Sequence, residues 1–502
     1  MLEATGGVLL FDHLRVPYRK SPSRRSLPDD ERTPGELISV RGDDGTLSWL
    51  RAPSGGSVAS VPGAYRLGST PIFGRVVPDA ASRRVRDALG GSRTALAAVS
   101  DDRGATVASV WRCGEGNTFL PFDPDELIAN LWSERYRAAA HSSTRSRLEA
   151  VARPLYYRAR VLLPVSVRLR MRRAYTGVQV RSSFPGWPVE TALDDLCRLV
   201  LALVAEAAGQ PVPMLSLWPR DRTWAFVLTH DVERSSGYAA IDRLRSVERR
   251  TGSTSSWNFV PLRDYRVDAG VLDGLRSEGC EIGVHGLHHD GRDLAPGHVA
   301  KRRPLMRRFA DDWGATGFRS PSLLRDFDVV PSLGFDYDSS YPDTDPFQAQ
   351  PGGCCSWLPF FNRETVELPV TLAQDHNVFE LLGEADERLW REKTTFLRER
   401  GGMALLLTHP DYMLDRERLD AYERLLGEFA SDATAWRALP REVSDWWRRR
   451  AASTPVRRDG AWRVEGPAER DGSVSFWPEA LRHQPGALDG DAARLRPART
   501  SS

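Results

Sequence analysis

From Thr223 onward, short apolar runs alternate with amphipathic stretches, and most of the runs end in a cluster of polar residues. TWAFVLTHD is followed by helical IDRLRSVERR, and SSWNFV by VLDGLRSEG, which Gly279 stops. CEIGVHG, GFRSP and TVELPV come next. The stretch FELLGEADERLWREKTTFLRER reads as one long helix ending at Gly401 and Gly402, before the strand MALLLTH. Strands separated by helices need crossover connections, and crossovers produce parallel sheets covered by helices. The expectation is an α/β fold, a parallel barrel or sheet. In such folds the chemistry collects at the C-terminal ends of the strands, which is where the polar clusters lie.

The rest of the chain reads differently. At 502 residues it is long enough for two or three domains. A polar, Pro- and Ser-rich loop at 20–35 precedes short apolar runs such as GELISV, GTLSWL and ATVASVW, separated by glycine and Asp-Gly turns. Residues 1–122 are therefore read as an N-terminal mixed or β-rich domain, without a catalytic constellation. Residues 123–215 form a helical connector that opens on the Asp-Pro signal of DPDELIANLWSERYRAAA. Its arginine-rich middle, Arg153 to Arg173, is interrupted by Pro154 and Pro164, which favours a solvated helical face over a membrane-surface helix. The alternating region is bounded at 216–452. Residues 453–502 read as a C-terminal extension with one strand pair, GAWRVEG with GSVSFWP, and a disordered tail from Pro485.

Charge excludes some partners. Sixty-nine basic and 67 acidic residues leave a net charge of +2, which makes no electrostatic case for nucleic acid or an anionic membrane surface. Only Lys20, Lys301 and Lys393 are lysines, so arginine abundance is compositional and no single arginine is a ligand signal by itself. No run approaches the ~18 apolar residues of a membrane span. The start, MLEATGGVLLFDHLRVPYRK, lacks the basic opening and longer apolar stretch of a secretory leader. Five scattered cysteines, two of them adjacent (Cys354 and Cys355), read as reduced thiols, so a cytoplasmic location is expected.

Seven of the ten histidines fall between His230 and His409, and their contexts carry the argument. In FVLTHDVE, residues two apart on an extended strand point the same way, so Asp231 and Glu233 can face one site. In EIGVHGLHHDG, His285 and His289 are four apart, the spacing of one side of a helical turn, with His288 as a competing ligand. With one carboxylate they make a His₂–carboxylate set that leaves positions open for water and substrate. Arg319, in GFRSP, is placed to orient a carboxylate by paired hydrogen bonds. His409 lies just past the buried run of MALLLTHPDY, where a general acid belongs. Asp343, Asp375 and His376 sit near further strand ends, as cleft or loop-capping residues. Trp257 and Trp357 are candidates for stacking on sugar rings, although core packing is the default among fifteen tryptophans.

The four motifs THDV, H-x-x-x-H, R-x-P and L-x-H, in this order, resemble those of the NodB-homology polysaccharide deacetylases, carbohydrate esterase family 4, from about Thr223 to Trp447. The resemblance implies a distorted (β/α) barrel of NodB type and a divalent metal, zinc foremost. It implies removal of acetyl groups from an N-acetylated sugar or glycan precursor. Carried over, it makes His285 and His289 metal ligands, Asp231 the catalytic base, Arg319 the residue that positions the base, and His409 the acid. One departure is Val232, where the family has a second, metal-binding aspartate; Glu233 takes that part in an Asp-x-Glu arrangement, or Asp231 is itself the ligand. Another is Ser322, where the family has an aromatic residue. Alternatives are a catalytically inactive glycan-binding or scaffold domain, a hydrolase of a non-sugar amide, and an iron oxygenase, which Arg319 and His409 disfavour.

Overall fold

A computed structural model of the chain describes residues 1–22, 35–52, 61–90, 93–114, 116–140, 179 and 184–478. The arginine-rich stretch Arg153–Arg173, the tail from Pro485 and most of the 20–35 loop lie outside the described residues. The described residues fall into two compact units: 1–140, 191–216 and 450–478 in one, and 179, 184–190 and 217–449 in the other.

The first unit is built on a nine-stranded mixed sheet. Its pairings are antiparallel except Leu2–Ala4 with Tyr18–Lys20 and Thr46–Arg51 with Asn117–Leu120. The Asp-Pro signal opens a helix over Pro124–Trp132, with the Asp123 carboxylate accepting from the Asp125 N–H as its cap. Helix Ala192–Ala208 buries Leu193, Leu196, Val200, Val204 and Ala207, an i, i+3, i+4 stripe, and ends at Gly209 in the left-handed region. The expected pairing of GAWRVEG with GSVSFWP does not occur. Ala461–Glu465 pairs instead with Thr454–Arg458, and Val474–Trp477 with Val212–Leu215. The reason is Asp459-Gly460: both residues have positive φ, and this two-residue turn matches the strand twist that hairpins need.

The second unit follows the alternation. Its strands are β1 (Trp224–Val232), β2 (Ser256–Phe259), β3 (Glu281–Val284), β4 (Gly317–Phe318), β5 (Tyr337–Asp338), β6 (Phe360–Asn362), β7 (Thr365–Glu367), β8 (Met403–Thr408) and β9 (Ala435–Arg437). The helices around them are α1 (Ile241–Arg250), α2 (Ala269–Ser277), α3 (Pro296–Asp312), α4 (Arg388–Glu399), α5 (Arg416–Ala430) and α6 (Pro440–Ala451). The sheet runs β6-β7-β5-β4-β3-β2-β1-β8, with β9 also paired to β1. All of these pairs are parallel except β6 with β7.

The α/β class is observed, but the ladder does not close into the expected barrel: β7 and β8 are not paired among the described residues. Pro369 follows β7 and has no N–H to continue the ladder. The segment beyond it reaches β8 only through separate bonds outside a ladder, with the Leu372 N–H donating to Leu405 O and Thr371 Oγ1 to Met403 O. The expected long helix is also broken. A π-helical turn, His376–Leu382, ends at Gly383 (φ +71°), and α4 starts only at Arg388.

All nine residues of β1 are buried, as in a parallel strand covered on both faces. Trp224, Phe226, Leu228 and Val232 join the apolar core, where Trp224 and Phe226 contact Phe429 of α5. By alternation Thr229 and Asp231 take the other face. His230 belongs to the core side: it bonds Thr408 Oγ1 and Glu248 Oε1 at 2.7 Å each and packs on Trp257 at 4.2 Å. Trp257 and Trp357 are both buried core residues, which excludes the sugar-stacking role considered for them.

Candidate metal centre and active site

The C-terminal ends of β1, β3, β4 and β8 bring the six candidate residues together. Glu233 is one residue past β1, and its Oε1 lies 2.8 Å from His289 Nε2, 3.7 Å from His285 Nε2 and 3.5 Å from His409 Nε2. Ligand atoms of Glu233, His285 and His289 all lie within 4.8 Å of one another. His288 is not part of this group.

His285 and His289 meet for a reason other than the one their spacing suggests. No helical turn joins them; the segment after β3 is a series of bends. Gly286 (φ +64°) and His289 (φ +54°) both adopt the left-handed region, and this folds the loop back so that the two rings sit 5.1 Å apart. A left-handed conformation at a non-glycine residue is uncommon and marks the loop as strained.

His285 tests whether the site fits a metal. Its Nδ1 lies 3.1 Å from the Arg319 carbonyl, which can only accept, so the neutral ring that a metal requires carries its proton on Nδ1. The lone pair is then on Nε2, which is buried and has no hydrogen-bond partner. A buried acceptor left unsatisfied costs about 1–3 kcal/mol. Two imidazoles and a carboxylate suit a divalent cation such as zinc and leave coordination positions open. The donor set fits the group.

Asp231 is buried beside this trio. Its Oδ1 accepts from Asn258 Nδ2 at 2.8 Å and from Arg319 Nη1 at 3.2 Å, while Oδ2 is 3.6 Å from His285 Nδ1. Burial alone would raise its pKa, but the charge His285 carries when it is protonated, the charges of Arg319 and His409, and the Asn258 bond outweigh it, so in the metal-free site the carboxyl is held below its ordinary value. Glu233 is held well below its own, burial again being outweighed by His285, His289 and His409.

Arg319 does not clamp Asp231 by paired bonds as its motif suggested. Nη1 gives one bond to Asp231 and one to Thr229 Oγ1 at 2.8 Å, while Nε and Nη2 hold Ser339 O and Oγ, both at 2.8 Å. The guanidinium thus ties β5's end to β1 and spends a single contact on the carboxylate.

His409 lies one residue past β8, buried. Its Nδ1 is 2.7 Å from Asp375 Oδ1, and its backbone N–H donates to Asp375 Oδ2 at 2.6 Å. Burial would lower its pKa, but Asp375, then Glu233 and Asp231, raise it to about 10. The imidazole is therefore a proton donor at neutral pH, with Nε2 turned toward Glu233.

Two members of the constellation were not assigned from sequence. Asp375 was noted only as a residue near a strand end; its pairing with His409 spans 34 positions, which no local pattern reveals. Asn258 carries a weak signal, a lone amide inside the apolar stretch WNFV. Asp343 lies elsewhere, in an ion pair with buried Lys393 at 2.8 Å, and His376 packs on Tyr412 at 4.8 Å.

No family model matches this chain, and neither does any curated protein. Solved structures do resemble it over somewhat under half its length. A protein provisionally named a polysaccharide deacetylase from Mycobacterium smegmatis is 20% identical with a TM-score of 0.39, covering 46% of this chain and 92% of its own. A second provisionally named polysaccharide deacetylase, from Pseudomonas aeruginosa PAO1, is 18% identical at 0.38, covering 49% and 97%. Puue allantoinase is 16% identical at 0.36, covering 46% and 92%. What the site can do rests on its own residues.

Proposed function

We propose that the chain is a metal-dependent amide hydrolase that removes acetyl groups from an N-acetylated sugar or glycan precursor. The observation that carries this reading is the buried, unpartnered Nε2 of His285, 3.7 Å from Glu233 and flanked by an ionised carboxylate and a protonated imidazole. A divalent cation held by Glu233, His285 and His289, zinc foremost, would polarise the acyl oxygen and acidify a water. Asp231 accepts a proton from the attacking water as the carbon–oxygen bond forms. His409 delivers its Nε2 proton to the departing nitrogen, so water and amide yield a carboxylic acid and an amine. A protonated imidazole at this position supplies the proton that an amine needs in order to leave. The N-acetylated sugar rests on the resemblance of the four motifs to NodB-homology deacetylases. A reducing, cytoplasmic setting belongs to the same proposal and is supported by the five cysteines, which are all thiols.

The test is metal analysis of purified protein, followed by acetate release from N-acetylated sugar precursors by wild type and His409→Ala. About one divalent metal per chain and acetate release that depends on His409 are expected. A fully metallated protein that releases no acetate but hydrolyses a non-sugar amide would move the substrate to that class. One that hydrolyses nothing and binds a glycan would make this an inactive binding module.

A further inference from the structure

Both loops that carry the metal-binding trio leave regular structure before their ligands: Glu233 is one residue past β1, and His289 is five past β3. Four carbonyls in two consecutive pairs, those of Val232 at the end of β1 and Glu233 after it and of Leu287 and His288 after β3, accept hydrogen bonds from one third loop, residues 260–265, which follows β2. The Leu262 N–H donates to Leu287 O at 3.0 Å. Arg263 Nη1 donates to His288 O at 3.2 Å, and its Nε to Glu233 O at 3.1 Å. Tyr265 Oη donates to Val232 O while accepting from the Val260 N–H, which closes the loop on its own first residue, next to the end of β2.

We propose that the 260–265 loop is a brace that presets the metal geometry, with Arg263 as its positioning residue; this rests on the metal reading given above. The argument is geometric. A guanidinium is a rigid plane whose Nε and Nη1 donors point in fixed, different directions, so one side chain can hold carbonyls of two different loops in a set relation. Those carbonyls belong to Glu233 itself and to the residue before His289. The peptide that Arg263 holds therefore leads directly into the left-handed His289, whose backbone would otherwise relax toward commoner conformations. Val232 also faces the core between two residues that face the site, and Tyr265 fixes its carbonyl. The brace thus stabilises the Asp-x-Glu spacing that replaces two adjacent aspartates. Arg263 is exposed and forms these bonds at the surface, so its loss removes no core packing.

The experiment measures metal affinity by competition with a chromophoric chelator, alongside thermal unfolding of the metal-free protein. It compares wild type, Arg263→Ala, Arg263→Lys, Tyr265→Phe and, as a control on the same loop, exposed Arg266→Ala. Arg263→Ala should weaken zinc binding roughly ten- to hundredfold, the scale seen when groups that orient metal ligands are removed. Arg263→Lys should recover little of it, because the rotatable donors of an ammonium on a flexible stem do not fix the separation of two carbonyls. Tyr265→Phe should weaken binding in the same direction, and Arg266→Ala should leave it unchanged. The metal-free melting temperature should be the same in the Arg263 variants as in wild type. Equal zinc affinity in wild type and Arg263→Ala overturns the brace. So does a parallel loss of metal-free stability, which would make Arg263 an ordinary structural residue. Wild-type protein that binds no divalent metal defeats the metal reading itself, and the brace with it.

Discussion

His285 and His409 are both buried imidazoles at strand ends, yet their partners prepare them for opposite tasks. The Nδ1 proton of His285 goes to a neutral carbonyl, which leaves Nε2 as a lone pair for a metal. Nδ1 of His409 faces the Asp375 carboxylate, which keeps Nε2 protonated. The two carboxylates near them are separated in the same way, and this can be tested. Glu233→Ala should lose tightly bound metal, whereas Asp231→Asn should keep the metal and lose turnover, read by metal analysis and acetate release. The reverse pattern would make Asp231 the ligand. His409→Ala should retain metal and lower kcat by roughly 10²–10⁴. Asp375→Asn removes the leading contribution that raises His409, so the alkaline limb of the pH–rate profile should move down from its wild-type position. The sign for stability follows from the same shift. A histidine raised from 6.5 to about 10 contributes stability that is fully present below pH 6.5 and is lost as pH rises toward 10. Metal-free wild type should therefore lose stability over that interval more steeply than Asp375→Asn. Parallel curves would show that Asp375 does not hold the proton.

At the scale of elements, what was legible in the sequence was whatever a single strand or turn decides. Asp231 and Glu233 share a face because strand side chains alternate, and that needs only their spacing. The closeness of His285 and His289 was legible from spacing too, but for the wrong cause, since φ values at Gly286 and His289 do the folding that a helix was expected to do. Pro369 and Asp459-Gly460 were visible in the sequence, and each decides a pairing that hydrophobic patterning alone misassigned. Asp375 and the Arg263 bonds were illegible, and Asn258 showed only as a lone amide in an apolar stretch, because each joins segments whose apposition only the tertiary fold sets. Two glycines three residues apart separate these effects. A Cβ at Gly283 would lie 2.0 Å from Asn258 Oδ1, the movable end of a side chain, so Gly283→Ala should displace the amide from Asp231. The lost bond, about 1.5 kcal/mol to a charged acceptor, should cost roughly tenfold in kcat with metal retained. A Cβ at Gly286 would meet Asp293 Oδ2 at 2.3 Å and the Pro321 ring at 2.6 Å, at a φ that disfavours alanine. Asp293 accepts from the Leu287 N–H, so Gly286→Ala should disturb the histidine loop and weaken metal binding. Identical metal affinity in the two variants would contradict this division.

For the whole molecule, every residue placed in the candidate site belongs to the second compact unit, and the only metal-binding trio among the described residues lies there. The first unit contributes none of these groups, which gives the chemistry a definable minimal chain. Its ends follow from pairing rather than from composition. Val212–Leu215 pairs with Val474–Trp477, both in the first unit, so a fragment beginning at 211 would carry an edge strand without its partner. Residues 217–449 avoid this. They also omit 184–190, where the Gly186 carbonyl accepts from Thr344 Oγ1 and Trp187 packs on Phe347 at 5.1 Å. Thr344 and Phe347 are tied through Asp345, which accepts from the Phe347 N–H and from Asn377, two residues beyond Asp375. The 217–449 fragment should therefore fold, bind about one divalent metal with the affinity of the full chain, and keep kcat on a small acetylated substrate. Its KM for a larger glycan precursor should rise, because the loop that follows Asp343 has lost a packing partner. Circular dichroism, metal titration and acetate release check the three parts separately. A folded, metallated fragment with no turnover on the small substrate would mean that a catalytic group lies outside 217–449, and the assignment of the chemistry to this unit would be wrong.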